Sequence, residues 1–134
     1  VGAKAVPDWL RQIQEEGVKN WARFTMPGRL GSLASEQEIT WWVDHVQGLT
    51  PKSTLIGYLQ WVPKLDLREE VLKVRCPCLI ISTSGNGLRT VESVKEWQSQ
   101  MQHSSLLVID GDAWHAAAAY PEQCAIAAIE FLEQ

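Results

Sequence analysis

Two uninterrupted apolar runs late in the chain limit its possible folds more than any other feature. Pro77-Cys-Leu-Ile-Ile-Ser-Thr83 and Ser104-Ser-Leu-Leu-Val-Ile109 lack the apolar–polar alternation of a strand with one wet face. A run without alternation reads as a strand covered on both sides, as in a parallel sheet. Between the runs, Thr90 opens a helix with Val91, Val94, Trp97 and Met101 on its inner side. After the Asp110-Gly111-Asp112 turn and an alanine stretch, Pro121 starts a final helix that continues through Leu132. This order makes a pair of α/β units. Two parallel strands alone form a marginal sheet with two exposed edges. The chain is therefore expected to be part of a sheet, with Val1-Gly2-Ala3 the tail of a further strand.

The first half reads as a block of three helices. Val6, Trp9, Leu10, Ile13, Val18 and Trp21 recur three to five residues apart as one stripe. Pro7 suits the first turn of this helix, and Met26-Pro27-Gly28 is expected to end it. Ser35 with Glu38 forms a capping box before a second helix. That helix puts Ile39, Trp42, Val43 and Val46 on one face and stops at Gly48. Thr50-Pro51 begins the third, with Leu55, Leu59 and Val62 inward and Pro63 at its end. Asp66 is placed to cap a short helix through Leu72.

Composition narrows the function classes. The net charge of −4 gives no attraction to nucleic acid or an anionic membrane, both polyanions. No apolar run approaches the roughly 20 residues of a spanning helix. The opening VGAKAVPDWL has no signal-peptide architecture. Cys76, Cys78 and Cys124 cannot all pair within the chain, which favours a reduced, cytoplasmic setting. Cys76 and Cys78 are too close for the usual zinc pairing and have no second pair, so no metal site is expected. Gly85-Asn86-Gly87 lacks the lysine and further glycines of a phosphate loop, and turn chemistry accounts for it. The seven tryptophans are expected to be mostly core.

Several elements together carry a family resemblance. Asp66-Leu67-Arg68-Glu69 is followed by the strand Arg75-Cys76-Pro77-Cys78-Leu79-Ile80-Ile81, a helix and a second strand. Then come Leu106-Leu-Val-Ile-Asp-Gly-Asp-Ala-Trp-His115 and a terminal helix opened by Tyr120-Pro121-Glu122. In this order, residues 66–134 resemble the end of the α/β-hydrolase fold. Residues 1–65 stand where that family inserts a helical cap, and they look similar to the cap of 3-oxoadipate enol-lactonase-like members. The expected fold is thus the C-terminal portion of an α/β-hydrolase: cap, then the last two parallel strands and their helices. The family's Gly-x-Ser-x-Gly nucleophile turn occurs nowhere in the sequence. The resemblance therefore implies a serine on an upstream segment, either cut away from this sequence or carried by the N-terminal half of the hydrolase as a separate chain. Alone, this chain is expected to be inactive.

The resemblance also suggests site residues. His115, on the loop after the last strand, corresponds to the histidine that moves a proton between nucleophile and leaving group. The acid has several candidates. Ser84 and Asn86 fall where the family usually has a carboxylate, and neither stabilises an imidazolium as a carboxylate does. Asp8 lies near the place from which some members supply the acid, and its plain alternative is a first-turn helix charge. Asp112 precedes His115 by three residues and is otherwise a turn residue. Trp41, Trp61 and Trp114 are candidates to line a substrate pocket. On a helix Trp41 and Trp42 point about 100° apart, so Trp42 shares the inner stripe and Trp41 is left for a pocket, an interface or plain surface packing. The implied activity is hydrolysis of an ester or lactone, with no cofactor. A different class, a degenerate hydrolase domain that binds without turnover, follows from the missing carboxylate.

Overall fold

The computed structural model describes residues 2–133, which form two compact units. One comprises the residues up to Arg29 together with Leu33–Leu65, and the other comprises Leu30–Ser32 together with the residues from Asp66 onward.

The first unit is helical. Helix α1 spans Gly2–Glu16 and α2 spans Val18–Leu30, so the single long helix of the apolar stripe is two. The break is Gly17, whose φ of 90° is open to glycine but strained for other residues. The stripe itself survives the break: Ile13, Val18 and Trp21 are buried, and Val6, Trp9 and Leu10 are half-buried. Helix α1 begins at Gly2, so Gly2 and Ala3 are helical rather than the tail of a strand; Val1 lies outside the described residues. Pro7 and Pro27 both sit inside helices rather than bounding them. Both rings are exposed, and the carbonyl of Arg23 that loses a partner to Pro27 belongs to an exposed residue that water can serve.

Helix α3, Glu36–His45, starts on the expected box: Ser35 Oγ accepts from Glu38 N at 3.2 Å, and Ser35 N donates to Glu38 Oε2 at 2.8 Å. Its inner line is Ile39 and Val43; Trp42 is half-buried, and Val46, past the helix end, is 40% exposed. A 3₁₀ turn, Gln47–Leu49, leads to α4, Lys52–Trp61, which buries Leu55 and Leu59. A second 3₁₀ turn at Val62–Lys64 holds Pro63. At the centre of this unit Trp21 is 1% exposed, edge-on to Trp9 at 6.0 Å and beneath the Arg29 guanidinium at 5.2 Å. Among the described residues its buried indole Nε1 has no hydrogen-bond acceptor. Trp21 is the one fully buried tryptophan of the seven. Trp41 and Trp61 are exposed and the other four half-buried, contrary to the expectation of a tryptophan core.

The second unit is α/β. Asp66 accepts from Arg68 N and pairs with the Arg68 guanidinium at the head of α5, Arg68–Val71. Strand β1 is Cys78–Thr83, α6 is Val91–Gln98 with Thr90 as its cap, and β2 is Ser104–Ile109. The strands pair in parallel, Cys78 with Ser104 through Thr83 with Ile109. Four-residue α7, Ala116–Ala119, and terminal α8, Pro121–Leu132, complete the unit. The strands are only partly covered: Cys78–Ile81 are half-buried, and burial is complete only at Ser82, Thr83 and Ile109. On α8, Ile126, Ile129 and Leu132 are 58%, 56% and 81% exposed. Among the described residues no helix is long and apolar enough to cross a membrane.

Candidate active site

The burial of β1 and β2 is deepest at their C-terminal ends, where two loops leave the sheet side by side. In parallel α/β sheets this end is where ligands bind, because the loops that follow the strands converge there. The exit loop of β1 runs from Thr83 to Thr90, and that of β2 from Asp110 to His115.

A chain of hydrogen bonds fastens the two loops. Ser84 N donates to Ile109 O at 2.9 Å and Gly85 N donates to Gly111 O at 2.7 Å, which extends the ladder past the strands. Ser84 Oγ donates to Asp110 Oδ1 at 2.8 Å and accepts from Gly111 N at 3.1 Å. Thr83 is fully buried, and its hydroxyl donates to the carbonyl of buried Ala113 at 2.8 Å. At Gly87 an added Cβ would stand 3.0 Å from Trp114 Nε1, so the indole lies directly on that glycine. Gly111 has φ 154°, and an added Cβ there would overlap the Tyr120 hydroxyl. Leu30–Ser32 supply a third side. Both Asp112 carboxylate oxygens accept from Ser32 N, at 3.0 and 3.2 Å. This backbone donor holds the Asp112 carboxyl below its usual pKa. Gly31 permits the approach: its φ is 83°, and a Cβ would stand 2.5 Å from Asp112 Oδ1.

His115 is therefore carried on a loop held at Gly111, Asp112 and Ala113, which limits where its ring can go. The residue is half-buried and occupies the cap position of α7, its carbonyl accepting from Ala118 N and Ala119 N. Trp114, next to it, is half-buried against Gly87. Asn86 is half-buried, and its Oδ1 accepts from Leu88 N at 2.9 Å and Arg89 N at 3.4 Å. Three of the six sequence candidates, Asn86, Trp114 and His115, thus lie on these adjoining loops.

The other three candidates belong to the helical unit. Asp8 stands in the second turn of α1, exposed, and pairs with Arg11 at 2.9 Å. Asp8 thus lies inside a helix rather than on a strand-exit loop, and one turn beyond the first-turn position of the plain alternative. Trp41 is 52% exposed, stacked edge-on to Trp42 at 5.8 Å and tilted against His45 at 5.5 Å. Trp61 is 56% exposed at the end of α4. Ser84, the other residue at the family's acid position, is committed to Asp110 and Gly111. Asp112 does serve the loop, but through Ser32, 80 residues upstream, rather than through its own turn. Sequence reading missed that bond because nothing in Gly31-Ser32 marks it locally. Cys78 Sγ is spent on the Cys76 carbonyl, and among the described residues no cluster of His, Cys, Asp or Glu is placed for a metal ion.

No family model matches the chain, and no curated protein matches its sequence. Solved structures do. A bromoperoxidase from Bacillus anthracis superposes with a TM-score of 0.83 at 20% identity, over 98% of this chain and 49% of that one. The enol-lactonase from Burkholderia xenovorans LB400 gives 0.85 at 17% identity, over 98% and 51%. A thermophilic esterase from Thermogutta terrifontis gives 0.78 at 16% identity, over 98% and 50%. The chain spans about half the length of these structures. At such identities the likeness concerns fold, and it covers both the helical unit and the strand unit. The parallel β1–β2 pair, its flanking helices and the helical block before it make up the C-terminal portion of an α/β-hydrolase fold.

Proposed function

We propose that this chain supplies the proton-transfer half of a serine-type hydrolase acting on a carboxylic ester or lactone. The observation that carries the proposal is His115 on a fastened loop at the C-terminal end of a parallel strand pair, beside the loop of Asn86. The neighbours whose names include an esterase and an enol-lactonase support the choice of substrate class. The nucleophile is assigned to the N-terminal half of the hydrolase, present as a separate chain. In the reaction the serine oxygen bonds to the acyl carbon while His115 takes its proton. The ester C–O bond then breaks, and His115 returns that proton to the leaving oxygen. Water repeats the sequence on the acyl-enzyme, releasing the acid and restoring the serine. The helical residues 1–65 act as cap, with Trp41 and Trp61 as its exposed aromatic surface, and Trp114 borders His115. The setting is cytoplasmic, in keeping with three unpaired cysteines.

The test is hydrolysis of p-nitrophenyl acetate and a small lactone by the hydrolase that contains this chain. His115→Ala should lower kcat by about 10³-fold or more, as loss of a triad base does. A second reading, a binding domain without turnover, is favoured by the amide at the acid position. Saturable ligand binding with no hydrolysis, unchanged by His115→Ala, would establish it instead.

A further inference from the structure

Asparagine occurs twice in the chain, and the two residues meet opposite local conditions. Asn20 lies inside α2, where the Asn20 Nδ2 donates to Glu16 O at 3.1 Å. The backbone N–H that follows it, on Trp21, donates to Gly17 O at 3.3 Å. Asn86 lies in the exit loop of β1, half-buried, and the glycine that follows it, Gly87, is exposed. Two backbone N–H groups, those of Leu88 and Arg89, point at Asn86 Oδ1, at 2.9 and 3.4 Å. Among the described residues the Gly87 N–H makes no hydrogen bond, and neither does the Asn86 Nδ2 amino group. Gly87 brings no Cβ to crowd the Asn86 side chain, and a Cβ there would stand 3.0 Å from Trp114 Nε1.

We infer that Asn86-Gly87 is a self-modification site, at which the side-chain amide becomes a carboxylate without the help of another protein. The Gly87 nitrogen bonds to Asn86 Cγ and gives up its proton. The Cγ–Nδ2 bond breaks, which releases ammonia and leaves a five-membered cyclic imide. Water then opens the ring. Addition at Cγ breaks the bond from Cγ to the Gly87 nitrogen and leaves aspartate, whereas addition at the Asn86 backbone carbonyl leaves isoaspartate. No electrons are exchanged. As the nitrogen adds, negative charge develops on Oδ1, and the Leu88 and Arg89 N–H groups already point at that oxygen, as the donors of an oxyanion site do. The attacking N–H has no protein bond to give up, and the leaving amino group has none to break. Asn20 lacks these conditions, since the N–H beside it is spent in the helix. The product puts a negative charge at position 86, on the loop fastened to that of His115. The inference holds whether or not the chain serves a hydrolase.

The test is ageing of the native protein in mildly alkaline buffer, followed by tryptic mapping of the peptide from Cys76 to Arg89. Its one side-chain amide is Asn86. The same peptide, synthesised and free in solution, is the reference. In the folded protein this peptide should gain about 1 Da, the difference between an amide and an acid, with aspartate and isoaspartate forms separated by chromatography. The gain should proceed about 10-fold faster than in the free peptide, a modest share of what one aimed donor gives an oxyanion. The peptide that contains Asn20 should stay unchanged. A folded protein that converts at or below the rate of the free peptide would overturn the inference. Conversion of both asparagines at the same rate would overturn it as well, because the loop would then contribute nothing.

Discussion

Single polar atoms decide how the candidate site is held. The Thr83 hydroxyl sits in a fully buried position and satisfies the Ala113 carbonyl, itself out of reach of water. Thr83→Val keeps the volume and leaves that carbonyl unpaired, at a cost of about 1–3 kcal/mol. The urea unfolding midpoint of the second unit should fall accordingly, and an unchanged midpoint would dismiss the bond. Asp112 adds a pH dependence whose sign follows from its lowered pKa in the fold. Its bond to Ser32 contributes above the unfolded carboxylate pKa of about 3.9 and is lost as pH falls through the lower folded value. Protection of the Ser32 amide proton, relative to its intrinsic exchange rate, should fall on acidification through that window, and Asp112→Asn should remove that fall. At this scale the sequence spoke unevenly. His115 and Asn86 could be singled out because the loops after two recognisable strands align with the loops that carry the histidine and the acid in the family the chain resembles. The Asp112–Ser32 bond spans 80 residues and has no local signature.

Elements were legible wherever one local force dominates. The run Ser104–Ile109 is a strand, and Pro121–Leu132 is a helix, both at the bounds that apolar continuity and the proline imply. The capping box at Ser35 forms because it satisfies two backbone donors from four consecutive residues. Legibility failed where two forces compete. Pro27 and Gly28 are strong breakers, yet α2 runs through them to Leu30 because Met26 and Leu30 bury on the inner side while both breakers face water. The stripe from Ile13 to Trp21 hid the break at Gly17, because a glycine between helices leaves the apolar spacing almost intact. Two substitutions separate backbone strain from crowding. Gly17→Ala meets only an unfavourable φ, with nothing within 4 Å of the new Cβ, and should cost about 1–2 kcal/mol. Gly31→Ala adds overlap with Asp112 Oδ1 and the Ala113 backbone, so its loss in unfolding midpoint should be clearly the larger. Equal losses would mean that Gly31 is chosen for its φ alone.

On the scale of the whole molecule, the second unit has strands and a helix with faces left uncovered. Cys78–Ile81 are half-buried where the apolar runs led one to expect full cover, and α8 turns Ile126, Ile129 and Leu132 outward. Apolar surface of this kind marks an interaction site. Under the proposed function it would be covered by the nucleophile-bearing half; the chain spans about half the length of its structural neighbours. The fold class was legible because continuous apolar strands around an amphipathic helix admit few architectures. The substrate was not, since no residue pattern in this sequence specifies it. The most direct test is labelling of the native protein with a fluorophosphonate, followed by peptide mapping of the modified serine. The account predicts one labelled serine outside these 134 residues, on a Gly-x-Ser-x-Gly turn, with labelling slowed by His115→Ala. Labelling of a serine within this sequence, or none at all under conditions where hydrolysis proceeds, would contradict it.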